Sequence, residues 1–132
     1  MFADKLSPKQ RQCVFDLAVN LANADNDLCK EEVEYLVSFS SAFGIEYNLD
    51  KEAIDINDSL AVFTDRKSKI ILLQELIKLS YKDGHFGKEE QESVFMIAQK
   101  IGLNNPELIL EIEKWVRDGV NWQYSGLQMI ES

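Results

Sequence analysis

The chain has very few of the residues on which whole classes of site depend. It contains one histidine and two cysteines among 132 residues. A single imidazole excludes chemistry that needs a histidine pair. Cys13 and Cys29 are sixteen positions apart, and two thiols at that spacing form neither a zinc pattern nor a disulfide framework. We therefore expect both cysteines to be reduced and to serve mainly in packing.

Long apolar runs and an excess of basic residues are also absent. No stretch approaches the roughly 18 consecutive apolar residues of a membrane span, and residues 1–5 do not have the layout of a signal peptide. We therefore expect a cytoplasmic protein with no direct membrane insertion. Acidic residues outnumber basic ones by 23 to 14, for a net charge of -9. Because basic residues drive nucleic-acid binding, we do not expect a nucleic-acid partner.

What the chain does contain is typical of a folded globular protein. Hydrophobic residues make up 45% of it, with only six glycines and two prolines, which argues against a disordered or low-complexity chain. Dividing 132 residues between two domains would leave pieces too small to bury adequate cores. We therefore predict a single domain over residues 1–132.

Helix signals recur along the sequence. Ser7, Pro8 and Gln10 form a capping serine, a proline at the first helical position and a glutamine at the third, which predicts a helix start. Apolar residues at three- and four-residue spacing predict five helices, namely 8 to about 24, 30–43, 66–82, 88–101 and 106–119. The apolar faces of these helices include Val14, Leu17, Ala18, Leu21 and Ala22 in the first helix, and Val37, Phe95 and Trp115 in later ones. Gly44 and Gly102 follow the second and fourth helices as caps. A weaker helix is expected over 50–56, followed by a linker over 57–65 in which Thr64 or Asp65 starts the next helix. No segment alternates as a strand does, so the predicted class is all-α.

The sequence also contains an internal repeat. Residues 21–34 align with residues 79–92 at an offset of 58 without a gap, and a leucine, an aspartate, a lysine and three glutamates coincide. Such a duplication predicts a compact bundle of six to seven helices in two pseudo-symmetric repeats. Repeat one covers about 8–57 and repeat two about 66–118.

Each repeat contains an acidic corner, in which an aspartate, a short turn and paired glutamates join two helices. These corners are not EF-hand loops, because a loop starting at Asp25 would need glycine and glutamate where Lys30 and Leu36 stand. The loop starting at Asp83 departs in the same way, with Lys88 and Val94. In the turn, Cys29 aligns with Gly87, which indicates that the position requires a small residue.

The two segments NADNDLCKEEVEYLVSFSSAFGI and SYKDGHFGKEEQESVFMIAQKIGL resemble the duplicated Ala-Asp-Gly-x-Ile-x-x-x-Glu motif of the tellurite-resistance protein B-like (TerB-like) family. The resemblance covers most of the chain. It implies an all-helical fold of two pseudo-repeats, similar to metal-binding stress-response proteins and to the amino-terminal domain of a membrane-anchored DnaJ-like co-chaperone. Asp25 and Glu32 match the motif in the first half, and Asp83 and Glu90 match it in the second.

The sequence departs from this motif at two positions. Asn26 replaces the glycine in the first half, and asparagine tolerates a left-handed turn better than most residues do. In the second half Lys82 replaces the small residue before Asp83. That lysine places a cation where it competes with a metal ion for the aspartate.

Two interpretations of the acidic corners remain open. Four carboxylates at Asp25, Glu32, Asp83 and Glu90 suit Ca²⁺ or Mg²⁺, and a pseudo-two-fold axis would bring them to one cation or to two adjacent ones. Alternatively, glutamates occupy first helical turns because an anion there interacts favourably with the helix dipole, by about 0.3–1 kcal/mol each. In that case the aspartates hydrogen-bond their own turns.

The carboxy-terminal extension, residues 119–132, is apolar and aromatic beyond what a solvated tail needs. We expect it to pack back onto the helices, or, as a sharper interpretation, to bind a partner or form a homodimer. Together these features predict a non-enzymatic, TerB-like stress-response module that binds a divalent cation and an unknown protein partner. The alternative is a metal-free interaction domain or co-chaperone-like adaptor, with hydrolase activity a distant third.

Overall fold

The computed structural model describes residues 2–23, 30–45, 55–81 and 87–131, and every regular element in these ranges is a helix. A short 3-10 helix, Ala3–Lys5, comes first. The six α-helices are α1 (Pro8–Ala22), α2 (Lys30–Phe43), α3 (Ile56–Leu60), α4 (Arg66–Ser80), α5 (Lys88–Lys100) and α6 (Pro106–Glu131). The predicted all-α class is therefore confirmed. None of the described helices has both the length and the apolar character needed to cross a membrane.

The start of α1 follows the predicted capping pattern. The Ser7 hydroxyl accepts a hydrogen bond from the backbone N–H of Gln10 at 3.1 Å, and the Gln10 side chain accepts one from the backbone N–H of Ser7 at 3.0 Å. These bonds satisfy two donors that the first helical turn would leave without partners. The Gln10 amide also donates to the backbone oxygen of Val62 at 3.0 Å. The cap therefore ties the start of α1 to the segment after α3.

Other helix boundaries were also predicted from local chemistry. Asp65 caps α4 by accepting from the backbone N–H of Ser68 at 3.3 Å, as expected. After α2 and α5 the chain turns at Gly44 and Gly102, which have φ angles of +64° and +80°. Only glycine takes such angles without strain, so both positions end their helices as left-handed caps.

Helix α4 forms the centre of the bundle. It packs against α1, α2, α5 and α6, while α1 also contacts α2 and α3, and α3 contacts α5. Buried residues cover about two thirds of the circumference of α4 and are Ser68, Ile71, Leu72, Leu73, Glu75, Leu76, Ile77, Leu79 and Ser80. Four of the surrounding helices therefore meet the core on this element.

The predicted apolar stripe of α1 is confirmed, because Val14, Leu17, Ala18, Leu21 and Ala22 are all buried. Cys13 is half-buried and packs against the same core, in agreement with its expected packing role, whereas Cys29 lies outside the described residues. Three residues assigned to apolar faces are instead exposed, and they are Val37, Phe95 and Trp115. Each lies at the edge of the stripe that its helix turns toward α4, where coverage by neighbouring helices ends.

The connection before α4 differs from the sequence prediction. Helix α3 includes residue 56 of the weaker predicted helix and residues 57–60, where a linker was expected. Residues 50–54 of that predicted helix lie outside the described residues. The helix starts because the Asp55 carboxylate accepts from the backbone N–H of Asn57 at 2.9 Å. Leu60 and Phe63 then become buried, so tertiary packing stabilises a helix too short to form alone.

The prediction that α6 ends at Gly119 is wrong. The helix continues to Glu131, over 26 residues. A glycine inside a helix costs about 1 kcal/mol relative to alanine, which is too little to stop a helix that has already formed. Packing of the extension back onto the bundle is also contradicted, because residues 117–131 are all exposed. The buried residues of α6 are Ile109, Ile112 and Val116, all in its first half.

The pseudo-two-fold repeat and the single-domain assignment stay predictions. The turns that define the two acidic corners fall on residues 24–29 and 82–86, which lie outside the described residues.

Candidate functional site

Of the four predicted metal ligands, Glu32 and Glu90 lie in the described part of the chain. Each is the third residue of its helix, Glu32 in α2 and Glu90 in α5. The two glutamates therefore occupy equivalent positions relative to their helix starts, and both are half-buried. Asp25 and Asp83 lie outside the described residues.

Glu90 folds back over the start of its own helix. Gly87 is the N-cap residue of α5, and a Cβ added there would collide with Glu90 Oε2 and lie 3.3 Å from Glu90 Cδ. A carboxylate at this place is close to the partial positive charge of the helix N-terminus. The glutamate side chain therefore occupies the space beside the N-cap that a side chain at position 87 would enter. This geometry is the one that the capping interpretation expects.

A metal site would need residues from outside the described part. Within residues 2–23, 30–45, 55–81 and 87–131, no three histidine, cysteine, aspartate or glutamate side chains are grouped closely enough to hold a metal ion. Carboxylate oxygens from Glu32 and Glu90 are the ligand type that Ca²⁺ and Mg²⁺ prefer. Completion of a site on them depends on Asp25 and Asp83, so the metal site stays a prediction.

A buried polar cluster joins α2 to α4, and it consists of Tyr35, Glu75 and Lys78. The Glu75 residue is only 2% exposed. The Tyr35 hydroxyl donates to Glu75 Oε2 and lies 3.3 Å from the backbone oxygen of Glu75. The Lys78 ammonium lies 3.2 Å and 3.3 Å from the two carboxylate oxygens. The buried charge of Glu75 is therefore paired and hydrogen-bonded, as burial requires.

The electrostatics of this cluster favour a structural role. Burial, followed by the negative charge of Glu75, raises the pKa of Tyr35 well above its usual value. The phenol is thus held in its neutral, hydrogen-bond-donating form rather than as a base. Glu75 is not among the candidate residues predicted from the sequence. Its signal was a charged residue on the apolar stripe of α4, three residues after Leu72 and four before Leu79.

Residues 119–131, here termed the outer half of α6, form an exposed apolar surface. The exposed fractions are 77% for Trp122, 76% for Met129 and 81% for Ile130, and Tyr124 and Leu127 are also exposed. Residues 119–130 include no charged side chain, whereas 28% of the whole chain is charged. Surface helices normally place charged residues on their solvated face, so an exposed segment of this length without charge is unusual.

The exposed surface continues a stripe that is buried in the first half of the same helix. Ile109, Ile112 and Val116 face the core. With about 3.6 residues per turn, the same side of the helix continues through Val120, Leu127 and Ile130. Side chains of one stripe are therefore buried over residues 109–116 and exposed over residues 120–130.

A groove of about 210 Å³ lies where α6 leaves α4. It is lined by Lys78, Tyr81, Trp115, Val116, Gly119, Val120, Trp122 and Gln123. At its side the Tyr81 hydroxyl donates to Glu113 Oε1 at 2.8 Å. Burial and the Glu113 carboxylate raise the pKa of Tyr81 to about 12. This bond joins the end of α4 to the first half of α6.

No family model, no characterised protein and no solved structure matches this chain. The resemblance to the TerB-like family therefore stays a prediction that depends on the duplicated motif.

Replacement of Tyr35 by phenylalanine should lower the free energy of unfolding by about 1–3 kcal/mol, because the buried Glu75 carboxylate loses a donor. Tyr124→Phe removes the same hydroxyl from an exposed position and should leave stability nearly unchanged. Urea denaturation of both variants measures the difference. Equal effects from the two substitutions would contradict the assigned role of the Tyr35 bond.

Stability should fall as the pH rises from 10 toward 12, because the fold raises the pKa of Tyr81 from 10.0 to about 12. The protonated phenol is favoured in the folded state, so its contribution is complete below pH 10 and is lost as Tyr81 ionises. Urea denaturation across this range should show a smaller fall for Tyr81→Phe than for the parent chain. Identical pH profiles would show that Tyr81 makes no such contribution.

Proposed function

We propose that this chain is a cytoplasmic, non-enzymatic protein-interaction module that holds its partner on the outer half of α6. One observation carries the proposal, namely that a stripe buried by α4 in the first half of α6 continues, uncovered, over the second half. Contiguous exposed apolar surface of this kind is uncommon on monomeric proteins and usually belongs to an interaction site.

The residue types of this surface support binding to another protein. Trp122 and Tyr124 are both exposed, and these aromatic residues are enriched at protein interfaces, where they supply much of the binding energy. Because residues 119–130 carry no charge, apolar burial rather than ion pairing would hold the partner.

The shape of the surface favours an amphipathic helix as the bound element. Over its first half, the same stripe of α6 already receives a helix, α4. A partner helix laid along the outer half would continue this packing, with apolar residues repeating at three- and four-residue spacing.

Binding of a divalent cation at the acidic corners is the second part of the proposal. Its support is the aligned repeat of Asp25 and Glu32 with Asp83 and Glu90, together with the equivalent positions of the two glutamates in α2 and α5. A cation-binding module corresponds to the stress-response role that the TerB-like resemblance implies. A metal-free, co-chaperone-like adaptor is the alternative, and it would use the same surface of α6.

A photo-reactive benzoylphenylalanine in place of Leu127 should form a covalent adduct with the partner inside the cells that make this protein. The same probe at Ser125, which is also exposed, should form little adduct, because about 200° of helical rotation places it on the opposite side of the helix from the stripe. Mass spectrometry of the adduct should map the attachment to a helical segment. Absence of adduct at both positions, or equal yields at the two, would contradict the proposed surface.

Calorimetric titration of metal-stripped protein with Ca²⁺ and then Mg²⁺ tests the cation. Saturable binding should raise the melting temperature, because a ligand at one hundred times its Kd stabilises the folded state by about 2.7 kcal/mol. The double variant Asp25→Asn with Asp83→Asn should lose this effect.

A matched control for the loss of two carboxylates is Asp4→Asn with Asp58→Asn, which changes the net charge equally at exposed positions. This control should bind as the parent does. Binding that survives in the corner variant, or no binding at millimolar metal, would leave the metal-free adaptor as the function. Turnover abolished by the same corner substitutions would indicate a hydrolase.

A further inference from the structure

We propose that the partner on this surface is a second copy of the chain, and that the outer halves of two α6 helices pair antiparallel about Gln123. This inference rests on the proposed function, because it names the occupant of the interaction surface assigned above. The arrangement would be an isologous dimer, in which each chain contributes the same residues to the contact.

The outer half of α6 exposes a large apolar area for a single helix. From about 150–250 Å² for a large side chain, its apolar residues expose on the order of 700 Å². These residues are Val120, Trp122, Tyr124, Leu127, Met129 and Ile130. A specific interface buries about 800 Å² per partner. Val120, Leu127 and Ile130 lie on the stripe, and Trp122 and Tyr124 flank it at about 100° from Gln123, so one helix pair covers part of this area and forms a small interface.

The stripe is complementary to itself in one antiparallel register. If Gln123 lies opposite Gln123 of the second copy, Gly119 lies opposite Leu127, and Val120 lies opposite Gly126. Each pair then joins a branched apolar side chain with a glycine, so that one residue fills the space that the other leaves. All these positions lie within about 120° of the helix circumference, on the side where Val116 is buried.

The two glycines have no function within one chain. A Cβ at Gly119 or Gly126 would meet no atom within 4 Å, and neither residue has the positive φ angle found at Gly44 and Gly102. Glycine is the least favourable helix residue after proline, so alanine would serve an isolated helix better. Close approach of a second helix gives both glycines a purpose, because the absence of a Cβ lets two backbones come near each other.

The centre and the ends of the pairing also have suitable partners. The Gln123 amide both donates and accepts hydrogen bonds, so two copies can bond across the two-fold axis and fix the register, as a polar residue does in a coiled-coil seam. In this register Ile130 lies opposite Val116 of the second copy. It would therefore enter the groove of about 210 Å³ beside Val116 and Tyr81.

The net charge of the chain predicts how the dimer should respond to added salt. Each chain has a net charge of -9, while residues 119–130 have no charged side chain. Two bodies of like charge repel each other, but the contact itself contains no ion pair to be screened. Added salt should therefore tighten the dimer, whereas it would weaken a complex held by opposite charges.

Sedimentation equilibrium of the full chain tests the dimer. The parent chain should approach twice its mass of 15.1 kDa as concentration rises, and more readily at high salt. The double variant Leu127→Glu with Ile130→Glu should raise the dimer Kd at least about tenfold, because it buries charge in the contact. Ser125→Glu with Gln128→Glu adds the same two charges on the opposite face and should remain dimeric. All four positions are exposed in one chain, and circular dichroism verifies that each variant is folded.

Two further variants test the register. Gln123→Cys should form a disulfide-linked dimer under mild oxidation, while Asn121→Cys and the parent chain should not. Gly126→Leu has room in one chain and improves helix propensity, yet it should weaken the dimer because it opposes Val120. The antiparallel register would be overturned if Gln123→Cys formed no more disulfide-linked dimer than Asn121→Cys does. It would also be overturned if Gly126→Leu left the dimer unchanged or tightened it.

A parent chain that remains monomeric at high micromolar concentration and high salt would overturn the second copy as partner. Flotation of the chain with phosphatidylcholine vesicles, lost in Leu127→Glu with Ile130→Glu, would do the same by assigning the surface to a lipid interface. The proposed interaction function fails separately, since it requires an adduct at position 127 in cells. If the adduct exceeds the mass of the labelled chain by a value other than 15.1 kDa, the partner is a different molecule. That result would preserve the interaction function and exclude a second copy of the chain.

Discussion

The packing of four helices around α4 is the constraint from which the shape of this protein follows. Helix α4 has 15 residues and α6 has 26, which at about 1.5 Å per residue gives lengths near 22 Å and 39 Å. A helix of the first length cannot cover one of the second. Because α6 is packed on α4 through Ile109, Ile112 and Val116, the uncovered length is all at its carboxy-terminal end. The exposed apolar stripe is therefore a consequence of unequal helix lengths at the centre of the bundle.

The same central helix contains the least expected residue of the core. A carboxylate at Glu75 is costly to bury, and its partners Tyr35 and Lys78 offset that cost. The bond from Tyr35 also specifies which face of α2 turns toward α4, since only that orientation gives the carboxylate a neutral donor. Apolar packing of Leu36 and Phe39 alone would permit neighbouring orientations at similar energy. The cluster thus sets the orientation of α2 on α4, whereas the aliphatic core supplies most of the stability.

Helix caps and turns, which depend on neighbouring residues, could be predicted from the sequence, whereas packing between distant segments could not. The caps at Ser7 and Asp65 and the turns at Gly44 and Gly102 depend on residues within a few positions of one another, and their prediction is confirmed. Gly119 resembles such a turn but lies in a helix already stabilised upstream, so the same rule predicted a false end. Helix α3 was missed because burial of Leu60 and Phe63 decides it.

In the candidate sites, too, features set by neighbouring residues were predictable and contacts between distant residues were not. The positions of Glu32 and Glu90 at two helix starts followed from the aligned repeat, whereas the Tyr35–Glu75 bond joins residues 40 positions apart and has no periodic signal. The apolar character of residues 119–132 was evident from composition. The course of this segment was not evident, because whether an apolar segment folds back depends on the surface available elsewhere in the bundle.

Amide hydrogen exchange along α6 tests most directly whether a second chain covers the outer half of α6, which α4 leaves exposed. A helical segment that extends from a bundle without packing against it opens readily, and its amides exchange quickly unless a partner stabilises it. Protection of residues 119–130 should rise with protein concentration, while that of residues 109–116 stays constant. Rapid exchange of the outer half at every concentration, in a chain whose first half of α6 remains protected, would contradict the pairing.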